Sequence, residues 1–192
     1  MEFLRNLNLP NRLTLLRIIM IPIFVFFILI APDSAACRVI AALIFVAASL
    51  TDTADGYIAR KYDMITNFGK FMDPLADKVL VSTAMIILVE IGMIPSWVAA
   101  IILAREFIIS GFRLVAVEQG VVIAASYIAK FKTVFQMFMC IFLIFSANEK
   151  YQGGFFEFIH ILGKIAMWGA LVLTVVSLVD YMYKNREVIK DK

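Results

Sequence analysis

Residues 52–78 read DTADGYIARKYDMITNFGKFMDPLADK, and this stretch carries two pairs of aspartates in a chain that is otherwise largely apolar. Asp52 and Asp55 are three residues apart, and Asp73 and Asp77 are four apart. Because an α-helix turns by about 100° per residue, each pair is predicted to lie on one side of its own helix. The two carboxylates of each pair therefore face the same way.

Small residues extend the first acidic face. Gly56 and Ala59 follow Asp52 by four and seven positions, so they return to nearly the same side of the helix and leave backbone exposed beside the acids. Carboxylates this close repel each other unless a cation lies between them, and ligands that are all oxygen suit Mg²⁺ or Mn²⁺. The pattern predicts a metal site that faces a large anionic ligand, with Arg60 placed to pair with phosphate.

The composition indicates a membrane protein. Of the 192 residues, 62% are hydrophobic and 17% are charged, and a soluble domain of this size has too little interior for so much apolar surface. The net charge is only +3 and the basic residues are scattered, so nucleic acid is not an expected partner. Cys37 and Cys140 lie in different segments, so neither a disulfide framework nor a zinc site is expected.

Hydropathy divides the chain into six predicted transmembrane helices within one all-α integral membrane domain, residues 1–192. Residues 1–12 are predicted to form a short interfacial segment. The predicted spans are 13–31, 39–60, 72–92, 95–118, 127–146 and 155–183. The arginines before the first apolar run also resemble those of a signal peptide, but the later spans favour a retained anchor.

The basic residues predict an orientation. Lys and Arg concentrate in the N-terminal segment, the second and fourth connections and the C-terminal tail, whereas Arg38 and Lys150 lie on the other side. Because positively charged loops remain in the cytoplasm, both termini and the aspartates are predicted to be cytoplasmic. The expected location is a bacterial cell membrane, crossed several times.

The aspartates also have simpler explanations. One is solvation just beyond the hydrocarbon, and another is ion pairing without a metal. The basic partners for such pairs would be Arg60, Lys70 and Lys78. Asp73, directly before Pro74, fits an N-cap of the third predicted helix, although capping leaves Asp77 unexplained. A divalent-cation transporter is an alternative from another class, with acids nearer the bilayer midplane.

The spacing of this stretch resembles the complete signature of the CDP-alcohol phosphotransferases. The matching residues are Asp52, Asp55, Gly56, Ala59, Arg60, Gly69, Asp73 and Asp77. The resemblance covers the whole six-span pattern and implies an enzyme that transfers the phosphatidyl group of CDP-diacylglycerol to an alcohol and releases CMP. It also implies contact with membrane lipids and a homodimer.

The same resemblance assigns roles to these residues. Two divalent ions, Mg²⁺ or Mn²⁺, would be held in each active site by Asp52, Asp55, Asp73 and Asp77. Asp77 would also be the general base that removes the proton of the acceptor hydroxyl. The CDP-lipid would lie against Gly56, Ala59, Arg60 and Gly69. The opening stretch LNLPNRLTLLRIIMIP adds groups near the nucleotide or lipid phosphates, although a helix start explains them nearly as well: Asn11, Thr14 and Arg17.

A second resemblance concerns the acceptor alcohol. The stretches LAREFIISGFR and AASYIAKFKTVFQM resemble the branch of the family that uses sn-glycerol 3-phosphate. The cations that would meet its dianionic phosphate are Arg105, Arg113, Lys130 and Lys132. These residues also fit ordinary positive-inside markers, and Arg105 fits a structural partner of an acid such as Glu106 or Asp52. Serine, an inositol phosphate and phosphatidylglycerol remain alternative acceptors.

Overall fold

The computed structural model describes residues 8–31, 34–62, 66–118, 120, 123, 126–147 and 154–185. Within these ranges, the side chains at 53–55, 57, 59, 60, 67, 68 and 70 lie outside the description. Every regular element in the described ranges is a helix, so the all-α prediction is confirmed. The helices are α1 (Leu9–Ile30), α2 (Ala35–Lys61), α3 (Asn67–Glu90), α4 (Ser96–Glu118), α5 (Tyr127–Ser146) and α6 (Gly154–Lys184).

Four of the helices in the described ranges contain a stretch that is long and apolar enough to cross a membrane. These stretches are Leu9–Ile30, Ala35–Asp52, Tyr127–Ser146 and Gly154–Lys184. The other two helices, α3 and α4, carry charged side chains along their length. The described part of the chain is therefore all-helical and contains four candidate membrane spans.

The first helix begins earlier than the sequence suggested. The predicted interfacial segment extends to residue 12, but α1 starts at Leu9, with Pro10 in its first turn. Proline is tolerated there because the first N–H groups of a helix have no intrahelical partner. Asn11 and Thr14 are consequently helical, and both are buried. Residues 1–7 lie outside the described part of the chain.

The third helix also begins before its predicted start. Thr66 is its N-cap, and the hydroxyl of Thr66 accepts a hydrogen bond from the N–H of Gly69 at 3.0 Å. The expectation that Asp73 caps this helix is therefore wrong, since both Asp73 and Pro74 lie inside α3. Because Thr66 already satisfies an N–H group at the helix end, the carboxylate of Asp73 remains for other contacts.

Aromatic rings and small residues hold the helices together. Phe24 of α1 and Phe45 of α2 pack with their ring centroids 5.8 Å apart. A Cβ atom added at Gly163 of α6 would lie 2.6 Å from Cδ2 of Leu143 in α5. One added at Gly169 would lie 2.5 Å from Cδ1 of Phe135. Glycine at these positions lets α5 and α6 approach closely.

The turn between α3 and α4 is tied to α6. Gly92 has φ +74° in this turn, a conformation that glycine adopts without steric cost. Lys164 of α6 donates a hydrogen bond to the carbonyl oxygen of Met93. Nearby, the rings of Trp97 in α4 and Trp168 in α6 have centroids 6.0 Å apart. This turn follows the C-terminal end of α3, whereas Asp73 lies near the N-terminal end of that helix.

Candidate active site

The first helix meets the second acidic pair through a hydroxyl group. Thr14 is fully buried, and its Oγ1 donates a hydrogen bond of 2.6 Å to Oδ1 of Asp73. Oγ1 of Thr14 also lies 3.2 Å from the carbonyl oxygen of Pro10, and because a hydroxyl has only one proton, we assign that proton to the shorter contact, with the carboxylate. Oδ2 of Asp73 makes no hydrogen bond or ion pair with a described residue, which leaves that oxygen for a ligand.

The first helix also meets the first acidic pair, through an arginine. Nη1 of Arg17 lies 2.7 Å from Oδ1 of Asp52, with Arg17 fully buried and the Asp52 side chain 40% exposed. Nε of Arg17 also contacts Oγ1 of Thr51 at 3.4 Å. A buried guanidinium is expensive to leave uncompensated, so this ion pair anchors α1 to α2 and holds one oxygen of Asp52. Thr14, Arg17, Asp52 and Asp73 together are called the acidic region below.

Gly69 closes the acidic region from the side of α3. Oγ1 of Thr66 contacts Oδ1 of Asn11 at 2.9 Å, and this places α1 against the first turn of α3. A Cβ atom at Gly69 would lie 3.1 Å from Oδ1 of Asn11 and 3.4 Å from Oδ2 of Asp73. The absence of a side chain at Gly69 therefore leaves room beside the free oxygen of Asp73.

The structure brings together part of the predicted metal and nucleotide site. Asn11, Thr14, Arg17 and Gly69 contact or adjoin the segments that carry Asp52 and Asp73. The backbones of Asp55, Ala59 and Arg60 belong to α2, but their side chains lie outside the described residues. Gly56 is partly buried in the same helix. Of the four predicted aspartate ligands, the structure describes the side chains of Asp52, Asp73 and Asp77.

The donor set suits a divalent ion, although the described acids do not by themselves form a complete metal site. Among the side chains that the structure describes, no three acidic, histidine or cysteine residues form a group able to hold a metal. Asp52, Asp73 and Asp77 nevertheless supply carboxylate oxygens, the ligands that Mg²⁺ and Mn²⁺ prefer. Asp77 also lies within electrostatic range of Asp52 and Arg17. The chemistry of these donors fits such an ion, but the described side chains do not bring three of them to one point.

Ion pairing without a metal explains only part of this arrangement. Arg17 pairs with Asp52, a partner that the sequence did not suggest. Lys78, which was one of the expected partners, donates instead to the hydroxyl of Ser110 in α4. The side chains of the other two, Arg60 and Lys70, lie outside the description.

A second group of charges lies between α3, α4 and α5. Lys132 of α5 is fully buried and forms an ion pair with Oε1 of Glu106 in α4. Nη1 of Arg105 lies 3.9 Å from Oε2 of the same carboxylate, which supports the interpretation of Arg105 as a structural partner of Glu106. Together with Lys78 and Ser110, these residues are called the cationic region below.

The other two predicted phosphate-binding cations lie against aromatic rings. The guanidinium of Arg113 is 5.8 Å from the ring centroid of Tyr181 in α6. The ammonium of Lys130 is 5.3 Å from that of Tyr127, and Lys130 is exposed. Arg113 remains within electrostatic range of Arg105. The structure thus pairs Lys132 and Arg105 through Glu106 and does not bring all four cations to one point.

A cavity of about 80 Å³ adjoins both Asp77 and the cationic region. Its lining consists of Asp77, Lys78, Val81, Ser82, Glu106, Thr133, Gln136 and Met137. Sequence reasoning named Lys78 and Glu106 only as partners in ion pairs, and it missed Ser82, Thr133 and Gln136. One available signal was spacing: Lys78 and Ser82, like Glu106 and Ser110, are four residues apart and share a helix face.

The sequence of this chain matches one known family. Residues 7–176 match the sequence profile of the CDP-alcohol phosphatidyltransferases. The chain belongs to the CDP-alcohol phosphatidyltransferase family, and the resemblance noted in the sequence is confirmed.

The curated relatives are more specific. The chain is 42% identical over 194 aligned residues to the CDP-diacylglycerol--glycerol-3-phosphate 3-phosphatidyltransferase of Bacillus subtilis strain 168, an alignment that covers 95% of this chain and 97% of the relative. It is 40% identical to the protein of the same name from Rickettsia typhi, over 91% of this chain and 94% of the relative. A probable phosphatidylglycerophosphate synthase of Mycobacterium tuberculosis is 38% identical, over 93% of this chain and 81% of the relative.

Proposed function

We propose that this chain transfers the phosphatidyl group of CDP-diacylglycerol to sn-glycerol 3-phosphate, which gives phosphatidylglycerol phosphate and CMP. The observation that carries this proposal is the alignment of nearly the whole chain, at about 40% identity, with enzymes named for that reaction. The chain is then a transferase of the phosphatidylglycerophosphate synthase type. Membership of this family argues against the divalent-cation transporter.

The proposed chemistry is an attack of the acceptor hydroxyl oxygen on the phosphorus next to the diacylglycerol. A new P–O bond forms to the acceptor, the bond from this phosphorus to the bridging oxygen breaks, and CMP leaves. The acceptor's proton passes to Asp77, the proposed general base. This role is supported by the position of Asp77 at the wall of the polar cavity.

The proposed metal site consists of Asp52, Asp55, Asp73 and Asp77. Two Mg²⁺ or Mn²⁺ ions per active site, when bound, would neutralise the diphosphate and align the attacking and leaving oxygens. The role of the described chain is to orient the carboxylates: Thr14 fixes one oxygen of Asp73, and Arg17 fixes one oxygen of Asp52. Such outer contacts orient metal ligands in many sites.

The proposed substrate contacts come from the family resemblance, and the contacts of Asn11, Thr14 and Gly69 near Asp73 support them. The CDP-lipid is proposed to lie along the glycine-bearing faces of α2 and α3 and beside the start of α1. The residues are Gly56, Ala59, Arg60, Gly69, Asn11, Thr14 and Arg17. The acceptor phosphate is proposed to meet cations of α4 and α5. These are Arg105, Arg113, Lys130 and Lys132.

The proposed setting is a cell membrane crossed by all six helices, with both termini and the active site on the cytoplasmic side. The distribution of Lys and Arg supports this orientation. This orientation also puts the aspartates within reach of both substrates, because a phosphorylated alcohol is dissolved in the cytosol and the head group of CDP-diacylglycerol lies at the membrane surface. A homodimer is proposed from the family resemblance.

An acceptor screen tests this function. Purified protein in detergent would be supplied with CDP-diacylglycerol and Mg²⁺ or Mn²⁺, and CMP release would be measured with one acceptor at a time. The acceptors are sn-glycerol 3-phosphate, serine, an inositol phosphate and phosphatidylglycerol. We expect release with sn-glycerol 3-phosphate. No release with this acceptor, alongside release with another, would reassign the substrate.

A further inference from the structure

The cavity beside Asp77 contains polar groups to which the mechanism above gives no role. Lys78 and Ser82 enter it from α3, Glu106 from α4, and Thr133 and Gln136 from α5. Its volume is about 80 Å³, and a buried water needs about 10–15 Å³ by the same kind of measure. The space therefore holds about five water molecules.

Lys78 supplies a positively charged donor group to the lining of this cavity. Its ammonium donates to Oγ of Ser110, a neutral group, and among the residues that the structure describes it forms no ion pair. A lysine ammonium has three donors, so two remain after this bond. Asp77 and Glu106 line the same cavity but form no ion pair with this ammonium, so its remaining donors are available to an anionic group of a ligand.

Ser110 fixes the position of this ammonium. Its hydroxyl donates to the carbonyl oxygen of Glu106 at 2.6 Å, so its proton is already committed and its lone pairs face Lys78. The ammonium of Lys78 is thereby anchored to α4, although Lys78 belongs to α3. Preorganised charges of this kind bind a ligand with less loss of side-chain entropy.

Glu106 supplies the complementary feature, an acceptor for hydroxyl groups. The buried ammonium of Lys132 balances its charge, so the carboxylate is held in place and does not compete for Lys78. Ser82, Thr133 and Gln136 add neutral hydrogen-bonding groups to the same lining. The cavity thus combines one free cationic donor with several partners for hydroxyl groups, which is the chemistry of a phosphorylated polyol.

We propose that this cavity is the subsite of the acceptor alcohol and that Lys78, positioned by Ser110, determines selectivity for an acceptor that carries a phosphate group. The inference rests on the proposed function. It adds a recognition residue beyond the four cations of α4 and α5, and it places the acceptor next to Asp77, the proposed base.

Steady-state kinetics of Lys78→Gln and Lys78→Arg test the role of the charge. Loss of a charge-assisted hydrogen bond predicts a rise of about tenfold or more in the KM for sn-glycerol 3-phosphate. The KM for CDP-diacylglycerol should stay within about twofold, because Lys78 acts on the other substrate. Lys78→Arg should restore most of the acceptor affinity. Lys184→Gln, on an exposed lysine paired with Asp180, is the charge control and should match wild type.

A pair of serine variants isolates the positioning role. Ser110→Ala removes the contact with Lys78, and Ser49→Ala removes a similar bond, since Oγ of Ser49 donates to the carbonyl oxygen of Phe45 at 2.8 Å. Both serines donate to the carbonyl oxygen four residues earlier, so each alanine variant loses the same kind of hydrogen bond within its helix. The acceptor KM should rise several-fold in Ser110→Ala only. If Lys78→Gln does not fold, this pair decides the question.

These measurements distinguish a failure of the proposed function from a failure of the proposed role of Lys78. Wild-type protein that releases no CMP with sn-glycerol 3-phosphate overturns the proposed function. Wild-type protein that uses this acceptor, with an unchanged acceptor KM in folded Lys78→Gln, or equal acceptor KM values in Ser110→Ala and Ser49→Ala, overturns only the inference about Lys78.

Discussion

The acidic and cationic regions are built from opposite arrangements of charge. In the acidic region, carboxylates on α2 and α3 are held by donors from α1, and one oxygen of Asp73 remains for a ligand. In the cationic region, ammonium groups are held by a carboxylate and a hydroxyl, and two donors of Lys78 remain. One region suits cations and the other suits an anion, as the proposed reaction between a metal-bound diphosphate and a phosphorylated alcohol would require. Asp77 adjoins both regions.

The largest effect is expected at Asp77, where the two regions meet. Asp77→Asn keeps the size of the side chain and removes its basicity, so kcat should fall by about 10²–10⁴-fold, the usual contribution of a general base. CDP-diacylglycerol binding should be largely spared. CMP release and nucleotide-lipid binding would be measured on the same preparation. Near-normal turnover would exclude Asp77 as the base.

Thr14→Val tests whether the acidic region orients metal ligands. The variant removes the hydrogen bond to Asp73, so the Mn²⁺ or Mg²⁺ concentration for half-maximal activity should rise about 10–100-fold, as for other outer contacts of metal ligands. Mn²⁺ affinity of the lipid-free protein, followed by electron paramagnetic resonance, should fall in parallel. Thr14→Ser should restore both values.

The matched control for Thr14→Val is Thr174→Val. Thr174 is also fully buried, and its Oγ1 has no hydrogen-bond partner among the described residues. The metal requirement should not change in this control. Equal metal requirements in both valine variants would show that Thr14 only packs against α3.

Arg113 and Lys130 test how far the cationic region extends. Arg113 is partly buried, so Arg113→Gln should raise the acceptor KM about tenfold, as expected for a charge-assisted contact. Lys130 is exposed, where ionic contacts contribute about 0.2–1 kcal/mol, so Lys130→Gln should raise it only a few-fold. At high salt, the rise in acceptor KM should decrease less for Arg113→Gln than for Lys130→Gln. An unchanged acceptor KM in both variants would remove them from the phosphate site.

The smallest effect on turnover is expected from Gly163→Ala, which tests the support of α5. The added methyl group would press on Leu143 of α5, and overpacking of this kind costs about 1–3 kcal/mol. The thermal unfolding midpoint in detergent should fall, whereas turnover at low temperature should change little. Gly111→Ala is the control, since nothing lies within 4 Å of its added Cβ atom. If both variants have the wild-type midpoint, the α5–α6 contact is not tightly packed.

Much of the fold was predictable because hydropathy acts over whole helices. The predicted fifth span coincides with α5, and the fourth differs from α4 by one residue. Helix starts were less predictable, because they depend on single capping groups. Asp73–Pro74 resembles a helix start, but Thr66 caps α3 seven residues earlier.

The two regions also differed in how much of them the sequence revealed. The aspartate pairs are visible as spacing within one stretch, so the acidic face was predictable. The contacts of Lys78 with Ser110 and of Lys132 with Glu106 join residues 32 and 26 positions apart. Such pairs depend on how α3, α4 and α5 pack, and neither composition nor periodicity contains that information.

The paired indoles of Trp97 and Trp168 give this enzyme a built-in optical probe. The chain contains two tryptophans in total, and they face each other between α4 and α6. Trp97 precedes Ser110 by thirteen residues on α4, roughly 20 Å at the usual rise of a helix. Intrinsic emission therefore reports on displacement of α4 against α6 without any label near the chemistry. A spectral change on adding an acceptor would reveal motion transmitted along that helix.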